Sequence, residues 1–545
     1  MAGIHPLDNL RSYRLGSRQA TAELAQADAP AIHIEFDIFH LVEDVRSRPG
    51  QAVILTGTAG DGKTYLAYRI LEALGIRRVA VRDAQWLGGY DQDGVFVDLD
   101  LSAGPLSDER VWRLFQALSR PQRLTLVCAN EGKLSEFEDR LQSMGLRRPE
   151  NVLCINLSHR ALVSPAAWHK TLTGVLHGPL WAGWDTAAES PLAWNRAWLQ
   201  DEGVAERVRR YLLLPYLLGE PITVREMLSF LAYALGGGLG SATADRLRPE
   251  ERIRYLLFNT LFSEPEGYVH GGRATPTEKL LWWLFRFDPA DSASPEVDLE
   301  LLVHLDRLRP PPPPELLSIW HSDLVVREGE ERDGEYRERL TRFMAYARRW
   351  YALASDEGLA AYFPFRHFAG YLQALEAPEA SEDVVGTLIK GLNLLLSGGQ
   401  VDHEYKLNLF YLVPEGNRQG IAIYSTNSFV FAQDFTLGND LLEMAEARYL
   451  ERMPRRLYLI YRPKPQVRLP VSLLLYEVLA SVAGPAGGFP ATMWAKERDT
   501  VIRFMAGLTR ELSRHGPVDE YTVRLERGEQ FNLTYRPANR RIDVS

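Results

Sequence analysis

A segment that carries three glycines, a lysine and a threonine at fixed spacing is the part of the chain best suited to binding phosphate. Residues 57–64 read Gly-Thr-Ala-Gly-Asp-Gly-Lys-Thr. Glycine can take positive φ, so the backbone can turn tightly and aim successive N–H groups at an anion. The lysine supplies a mobile cation for the β and γ phosphates, and the threonine supplies a hydroxyl ligand for Mg²⁺. The predicted nucleotide-binding residues are Gly57, Gly60, Asp61, Gly62, Lys63, Thr64 and Tyr65.

The sequence on either side of this segment has the pattern that a phosphate-binding loop requires. The apolar run 52–56 predicts a strand buried on both faces, and residues 64–74 carry apolar side chains at helical spacing. A helix that starts at the loop directs its N-terminal dipole at the anion. The alternative is a glycine-rich turn that carries Lys-Thr by coincidence. Because both flanks agree with the loop, the sequence favours ATP with Mg²⁺ as the ligands.

Polar residues that follow two later apolar runs are candidates for metal binding and catalysis. Asp98 and Asp100 follow the run 95–97, and Asn130 follows the run 124–129. Ligands bind at the carboxyl ends of parallel strands, so Asp98 is predicted to hold Mg²⁺ and Asn130 to sense the γ phosphate. Strand alternation places Asp98 and Asp100 on one face. The alternatives are a solvated strand end and an ordinary strand-to-loop turn.

The glutamate that would polarise an attacking water is missing from the expected position. Residue 99 is Leu, so Asp100 or Glu131 would have to take that role. This departure argues against fast hydrolysis.

Four arginines are candidates for contact with the γ phosphate. Arg225 follows Thr223, a predicted N-cap that pairs with Glu226, and so falls in a first helical turn where a cation is electrostatically unfavourable. A lid arginine that closes on the phosphates would explain this misfit, and a surface arginine paired with carboxylates is the alternative. The candidate arginine fingers toward a neighbouring subunit, for which ordinary surface arginines are the alternative, are Arg147, Arg148 and Arg160. The predicted catalytic residues are Lys63, Asp98, Asp100, Asn130 and Arg225.

The elements that must position these residues follow from the alternation of apolar runs and helical spacing. Runs at 52–56, 79–81, 95–99, 124–129 and 152–157 alternate with helical segments at 64–74, 108–118 and 134–144. This pattern predicts an α/β fold with a parallel sheet and right-handed crossovers. The predicted domains are an N-terminal helical segment at 1–50, a P-loop NTPase core at 51–164, a helical lid and extension at 165–309, a proline spacer with a helical region at 310–398, and an α+β domain at 399–545.

Composition narrows the class of protein further. The net charge of −9 over 545 residues argues against a protein that coats DNA along its whole surface. The two cysteines, Cys128 and Cys154, lie in apolar runs and are expected to be core residues rather than a disulfide. No apolar run approaches the length that spans a bilayer, and no signal pattern opens the chain, so a cytoplasmic protein is expected.

A basic stretch in the C-terminal part is a candidate contact for DNA or a partner. Residues 451–468 hold six Arg or Lys and one Glu, with Tyr458 and Tyr461 among them. A strand edge protected by charge explains the same composition.

Five segments together resemble a known family. They are Gly-Thr-Ala-Gly-Asp-Gly-Lys-Thr (57–64), Cys-Ala-Asn-Glu-Gly-Lys-Leu (128–134), Ile-Asn-Leu-Ser-His-Arg (155–160), Ile-Thr-Val-Arg-Glu-Met-Leu-Ser-Phe-Leu (222–231) and Leu-Leu-Leu-Tyr-Glu-Val-Leu (473–479). The chain resembles the F subunit of bacterial phosphorothioation-dependent DNA restriction systems (Dpt/Dnd type), within the AAA+ and STAND-like P-loop NTPases. The resemblance implies a defence ATPase that works with two partner subunits, one of them helicase-like.

Three functions are therefore expected in order of preference. The first is an ATP-hydrolysing motor or switch in an anti-phage restriction complex. The second is a nucleotide-gated assembly module with little turnover, and the third is an AAA+ DNA clamp or loader. Direct contact with DNA and assembly into a homo-oligomer are left open.

Overall fold

The structure, a computed structural model, describes residues 5–13, 32, 34–48, 50–76, 90–92, 94–177, 181, 184, 190–262, 279–324, 334–399, 401–410, 421–441, 446–484, 491–512, 520–525, 530–536 and 541–544. The chain forms two compact units. The first comprises Met1–Tyr216, Glu220–Pro364 and Glu443–Met453, and the second comprises Leu217–Gly219, Phe365–Leu442 and Pro454–Ser545.

The first unit contains a five-stranded, mostly parallel sheet. Its strands are β1 (Gln51–Thr56), β2 (Tyr90–Gln92), β3 (Val95–Asp98), β4 (Leu124–Cys128) and β5 (Val152–Asn156), in the order β2-β3-β4-β1-β5. Each neighbouring pair is parallel except β2 with β3. Strand β1 therefore lies between β4 and β5. The predicted α/β class is confirmed, and the predicted strand at 79–81 lies outside the described residues.

Six helices of the described residues accompany this sheet along the chain, and the third to fifth of them match the predicted helical segments at 64–74, 108–118 and 134–144. They are α1 (Pro6–Arg11), α2 (His40–Ser47), α3 (Lys63–Ala73), α4 (Asp108–Ser119), α5 (Glu131–Ser143) and α6 (Pro165–Leu176). Ala52 and Ile54 of β1 share one hydrophobic cluster with apolar residues of α4 and α5. Val53 and Leu55, which point to the other face, are also buried. The central strand is thus covered on both faces, which explains its continuous apolar sequence.

The rest of the first unit is helical, as predicted from residue 165 onward. Its helices are α7 (Pro191–Gln200), α8 (Glu202–Leu217), α9 (Val224–Gly236), α10 (Ser241–Ala244), α11 (Pro249–Arg252), α12 (Leu257–Thr260), α13 (Lys279–Phe285), α14 (Pro295–Val303), α15 (Pro314–Asp323), α16 (Gly334–Ala354) and α17 (Asp356–Tyr362). The five consecutive prolines were predicted to mark the best boundary. They lie inside this unit, and the last of them starts α15, where a proline needs no backbone donor.

One stretch in this helical region departs from the expectation about apolar length. Among the described residues, Val224–Ala244 is the single stretch long and apolar enough to cross a membrane by length and composition. Most of it, 72% of its most apolar window, is buried inside the protein. A helix buried to this extent lies in the core, and its apolar sequence reflects packing on all sides.

The second unit combines helices with antiparallel sheets. Its helices are α18 (Phe368–Glu376), α19 (Glu382–Ser397), α20 (Leu473–Ala483) and α21 (Ala491–Leu512), and its strands are β6 (Lys406–Phe410), β7 (Ile421–Phe431), β8 (Phe435–Asn439), β9 (Leu457–Tyr461), β10 (Arg468–Val471), β11 (Glu520–Leu525), β12 (Gln530–Arg536) and β13 (Arg541–Val544). The strands form two sheets, ordered β10-β9-β8 and β13-β12-β11-β7-β6. The main part of the unit starts at Phe365, ahead of the predicted domain start at 399, because α18 and α19 belong to it.

A short segment from the C-terminal half of the chain belongs to the first unit. Glu451 is 4% exposed, and its carboxylate accepts hydrogen bonds from the backbone N–H of Asp37 at 2.6 Å and from Lys170 Nζ at 3.1 Å. The same carboxylate forms an ion pair with Arg160, and its backbone carbonyl accepts from the N–H of Ala161 at 2.7 Å. Sequence spacing gives no sign of this cluster because its members lie far apart along the chain.

Candidate functional site

The glycine-rich loop, residues 57–64, connects β1 to α3 and has an unusual backbone. Gly57, Gly60 and Gly62 have φ of 135°, 101° and 86°, in the region that L side chains rarely adopt. The Lys63 ammonium folds back over the loop and donates to the carbonyl oxygens of Gly57 at 3.0 Å and Thr58 at 2.7 Å. The glycines are therefore required by the conformation, and the cation is held at the concave side of the loop.

Asp61 fixes the loop from within. Its Oδ2 accepts from the backbone N–H of Thr58 at 2.6 Å, from the Thr58 hydroxyl at 3.0 Å and from the Ser158 hydroxyl at 3.2 Å. Ser158 lies just after β5, in the short 3-10 helix Leu157–His159. A carboxylate that is 5% exposed and engaged in this way shapes the loop, and its charge does not suit direct contact with phosphate.

The two residues that follow the lysine lie in the first turn of α3. Thr64 and Tyr65 are both partly exposed. The Tyr65 ring meets Phe39 edge to face, with centroids 6.4 Å apart, and Phe39 belongs to the segment just before α2. The N-terminal segment therefore packs against the first turn of α3, next to the loop.

The N-terminus of α9 packs directly on the loop. Thr223 and Glu226 form the predicted capping box, and the backbone N–H of Arg225 donates to the carbonyl of Gly60 at 3.2 Å. A Cβ atom at Gly60 would lie 3.0 Å from the Cβ of Arg225. This contact puts the first turn of α9 beside the loop, although 165 residues separate Gly60 from Arg225. Contact of the Arg225 side chain with the γ phosphate stays a prediction.

Asp98, the predicted Mg²⁺ ligand, already has an arginine partner. Its side chain is 1% exposed, and its Oδ2 accepts from Arg110 at 2.7 Å. Its Oδ1 accepts from the backbone N–H of Asp100 at 3.2 Å. Asp100 is exposed, and its own carboxylate accepts from the backbone N–H of Ser102 at 2.9 Å. The sequence analysis did not single out Arg110, which lies one helical turn into α4.

Asn130, the predicted γ phosphate sensor, caps α5. Its Oδ1 accepts from the backbone N–H of Lys133 at 2.7 Å, and its Nδ2 donates to the Ser102 hydroxyl at 2.8 Å. The next residue, Glu131, accepts from Asn156 Nδ2 at 2.9 Å. Asn156 is the last residue of β5, and its Oδ1 accepts from the N–H of Ser158 at 3.0 Å. Asn156 and Ser158 were missed as site residues, although both are polar residues at a strand end.

Charged groups at the carboxyl edge of the parallel sheet affect the pKa of Lys63. Burial lowers the pKa of Lys63, and the carboxylates of Asp61, Asp100 and Glu131 partly offset that effect, with a further contribution from Cys128. Lys63 is therefore partly desolvated and surrounded by acidic groups. Partial desolvation favours the exchange of the loop carbonyls for an anionic partner, whereas the nearby carboxylates oppose the approach of an anion.

The three candidate arginine fingers occupy different settings. Arg160 is 6% exposed, lies over the Phe36 ring at 4.5 Å and pairs with Glu451, so its guanidinium is held inside the unit. That placement gives no support to a role at a neighbouring subunit. Arg147 is exposed, and Arg148 pairs with Glu138 at 3.0 Å. Both precede β5, so they lie at the edge of the parallel sheet opposite the loop.

The basic stretch 451–468 is engaged largely within the protein. Glu451 belongs to the cluster in the first unit described above. In the second unit, Lys464 pairs with Glu511, and Arg462 donates to the carbonyl of Phe435 at 2.9 Å. Arg468 lies over the Tyr458 ring at 4.6 Å. These contacts fit a strand edge protected by charge at least as well as a nucleic-acid surface.

The carboxyl edge of the sheet therefore brings together the residues predicted from the loop and from the strand ends. Among the described residues, no three His, Cys, Asp or Glu side chains are grouped as a ready metal site. The chain was also compared with protein-family models, with curated proteins and with solved structures, and none of them matches it.

Proposed function

We propose that the chain binds ATP with Mg²⁺ at residues 57–64 and hydrolyses it. The observation that carries this proposal is the loop itself, in which three glycines of positive φ lie between a buried parallel strand and a helix, with the Lys63 ammonium held over two loop carbonyls. Backbone N–H groups, a helix dipole and a lysine are the groups that bind the phosphates of a nucleotide.

A magnesium ion would suit this edge as a ligand shared with the substrate. Mg²⁺ is usually bound by one or two protein groups together with phosphate oxygens, so a complete protein ligand set is not needed. The Thr64 hydroxyl, in the first turn of α3, is the group that would hold it, and Asp98 would join only by exchanging its Arg110 partner for the ion. The ion would neutralise charge on the phosphates during transfer.

The helix α9 gives the bound nucleotide a way to act on the rest of the unit. Its first turn is joined to the loop by the bond between Arg225 and Gly60. Phosphates that reorganise the loop would shift this contact, and Arg225 lies two residues from the N-cap of the helix, Thr223. Arg225 is accordingly proposed to couple the γ phosphate to the helical region.

The setting in which this ATPase works is proposed from the five sequence segments that resemble the restriction-system F subunit. In that setting the protein is cytoplasmic, works with other subunits including a helicase-like one, and restricts DNA. Contact with DNA would come through those partners or through the basic stretch 451–468.

A second function, a nucleotide-gated assembly module with little turnover, is favoured by one specific observation. Leu99 occupies the position of the expected glutamate and is 5% exposed, while Asp98 beside it is neutralised by Arg110. A chain of this kind would bind ATP tightly and turn it over slowly.

Calorimetry and turnover measurements separate these functions. Titration of Mg²⁺-ATP into the full chain should give a heat of binding that is lost in Lys63→Ala and kept in Lys133→Ala, whose ammonium pairs with Glu136. Turnover should then be measured alone, with double-stranded DNA and with co-encoded partner proteins. ATP binding without turnover in every condition would favour the nucleotide-gated assembly module. Absence of ATP binding would refute both functions.

A further inference from the structure

The proposed ATPase function leaves open which group activates the attacking water, and the inference below rests on that function. Three carboxylates, those of Asp98, Asp100 and Glu131, lie near the loop. Both oxygens of Asp98 are engaged, one by Arg110 and one by the backbone of Asp100. Asp100 accepts from Ser102 within its own turn. These two carboxylates are therefore used in shaping the end of β3.

Glu131 is placed differently, because its side chain reaches from the end of β4 to the end of β5. Strands β4 and β5 lie on either side of β1, with Cys128 opposite Leu55 and Asn156 opposite Thr56. Strands separated by one neighbour are about 10 Å apart. The bond of 2.9 Å between Glu131 and Asn156 closes that distance at the point where β1 passes into the loop.

The carboxylate of Glu131 consequently lies at the mouth of the loop rather than beside β3. Its charge, like that of Asp100, acts on the Lys63 ammonium, which contacts the first two carbonyls of the loop. The bond to Asn156 across the end of β1 is what distinguishes Glu131. The position also lies one residue after Asn130, so the predicted γ phosphate sensor and this carboxylate leave the same strand end. In-line attack requires the water to approach the γ phosphorus from the side opposite the β phosphate. A water held by Glu131 meets this requirement when the phosphates extend along the loop toward β4.

We propose that Glu131 is the general base of ATP hydrolysis and that Asn156 is the positioning residue that orients its carboxylate. Glu131 takes a proton from water as the water oxygen bonds to the γ phosphorus. The bond between the γ phosphorus and the bridging oxygen breaks, and its electron pair stays on the β phosphate of the departing ADP. The proton on Glu131 then passes to solvent, which restores the carboxylate.

The variant Glu131→Gln tests the base directly. Gln keeps the oxygen that accepts from Asn156, so the fold at this edge is retained while the basic oxygen is removed. We expect kcat to fall by about 100-fold or more, the range typical of a lost general base, with ATP affinity changed less than about threefold. The matched control is Glu136→Gln in the same helix, whose carboxylate pairs with Lys133, and its kcat should remain at the wild-type value.

The variant Asn156→Asp tests the positioning role with a readout that a purely structural residue would not move. A second carboxylate beside Glu131 disfavours ionisation of the base, so the acid limb of the kcat–pH profile should move upward by about one unit. The oxygen that accepts from Ser158 is kept in Asp. Asn156→Ala should lower kcat with little change in KM.

Several outcomes would overturn the inference. Turnover at the wild-type rate in Glu131→Gln would exclude Glu131 as the general base. A loss of turnover in Asp100→Asn but not in Glu131→Gln would assign the general base to Asp100. Loss of ATP binding in Glu131→Gln would assign the residue to binding instead. A chain that binds ATP but shows no turnover alone, with DNA or with partners would refute this inference and leave ATP binding intact, whereas absence of binding would refute the proposed function itself.

Discussion

The backbone N–H of Arg225 donates to the carbonyl of Gly60, and the approach is so close that a side chain at Gly60 would meet Arg225. One contact thus joins the glycine-rich loop to the helix α9. Two features of position 60 require glycine. The φ of Gly60 is 101°, and a Cβ added there would lie 3.0 Å from the Arg225 Cβ and 3.3 Å from the Thr223 hydroxyl.

Substitution Gly60→Ala should therefore displace α9 from the loop. We expect a loss of about 1–3 kcal/mol in the free energy of unfolding of the first unit and weaker ATP binding, since backbone strain and overpacking both contribute. Urea unfolding followed by tryptophan fluorescence, with calorimetry for ATP, would measure both. Gly75→Ala is the control: its φ of 77° is also in the region that L side chains rarely adopt, but a Cβ there meets nothing within 4 Å. Equal effects in the two variants would refute the contact argument.

The ion pair between Asp98 and Arg110 gives a second prediction. Arg110→Met should destabilise the first unit by about 3 kcal/mol, because it leaves a carboxylate of 1% exposure without its charged partner. In Arg113→Met, the matched control in the same helix, the lost partner is Asp91 at 60% exposure, so the cost should be below about 1 kcal/mol. Equal urea midpoints for the two variants would contradict the structural role of Arg110.

The local features of the fold could be predicted from the sequence, and the distant contacts could not. The loop, its flanking strand and helix, and the capping box at Thr223 all depend on residues close together in the chain, so spacing and turn chemistry identify them. The partners of Asp98 and Glu451 are a different case. Arg110 looks like an ordinary surface residue of an amphipathic helix, and Glu451 looks like one acid in a basic stretch, because burial is decided by packing that spacing does not encode.

The assignment of Glu451 to the first unit makes a third prediction. Glu451→Gln removes the charge that faces Lys170 and the buried Arg160, so we expect a loss of about 3 kcal/mol in the unfolding of the first unit. Arg448→Gln, which removes an exposed partner of Asp44, should cost less than about 1 kcal/mol. Hydrogen exchange should show the loss of protection in the Glu451 variant at residues of the parallel sheet. Loss confined to residues 365–442 would contradict the assignment.

The cysteines give a prediction about reactivity and pH. Burial raises the pKa of Cys128 to about 12, from an unfolded value near 9.0. The neutral thiol therefore contributes stability that is fully present below pH 9 and is lost as the pH rises toward 12. In a Cys154→Ser chain, where Cys128 is the remaining thiol, iodoacetamide at pH 8.5 should leave the native protein unlabelled and label it in urea. Rapid labelling of the native chain would show that Cys128 is accessible.

Asn130 serves the fold as an N-cap, and a pair of variants separates that role from a role at the nucleotide. Asn130→Asp keeps the oxygen that accepts from Lys133 and suits the helix dipole, so its stability should stay within about 0.5 kcal/mol of wild type. Asn130→Ala should lose about 1 kcal/mol. If Asn130 also senses the γ phosphate, both variants should lower ATP turnover, because each removes the amide donor that now contacts Ser102.

Ser164→Ala, which removes the side-chain cap of α6, is the control. It should cost a similar amount of stability and leave turnover unchanged. Normal turnover in Asn130→Asp would reduce Asn130 to a helix cap.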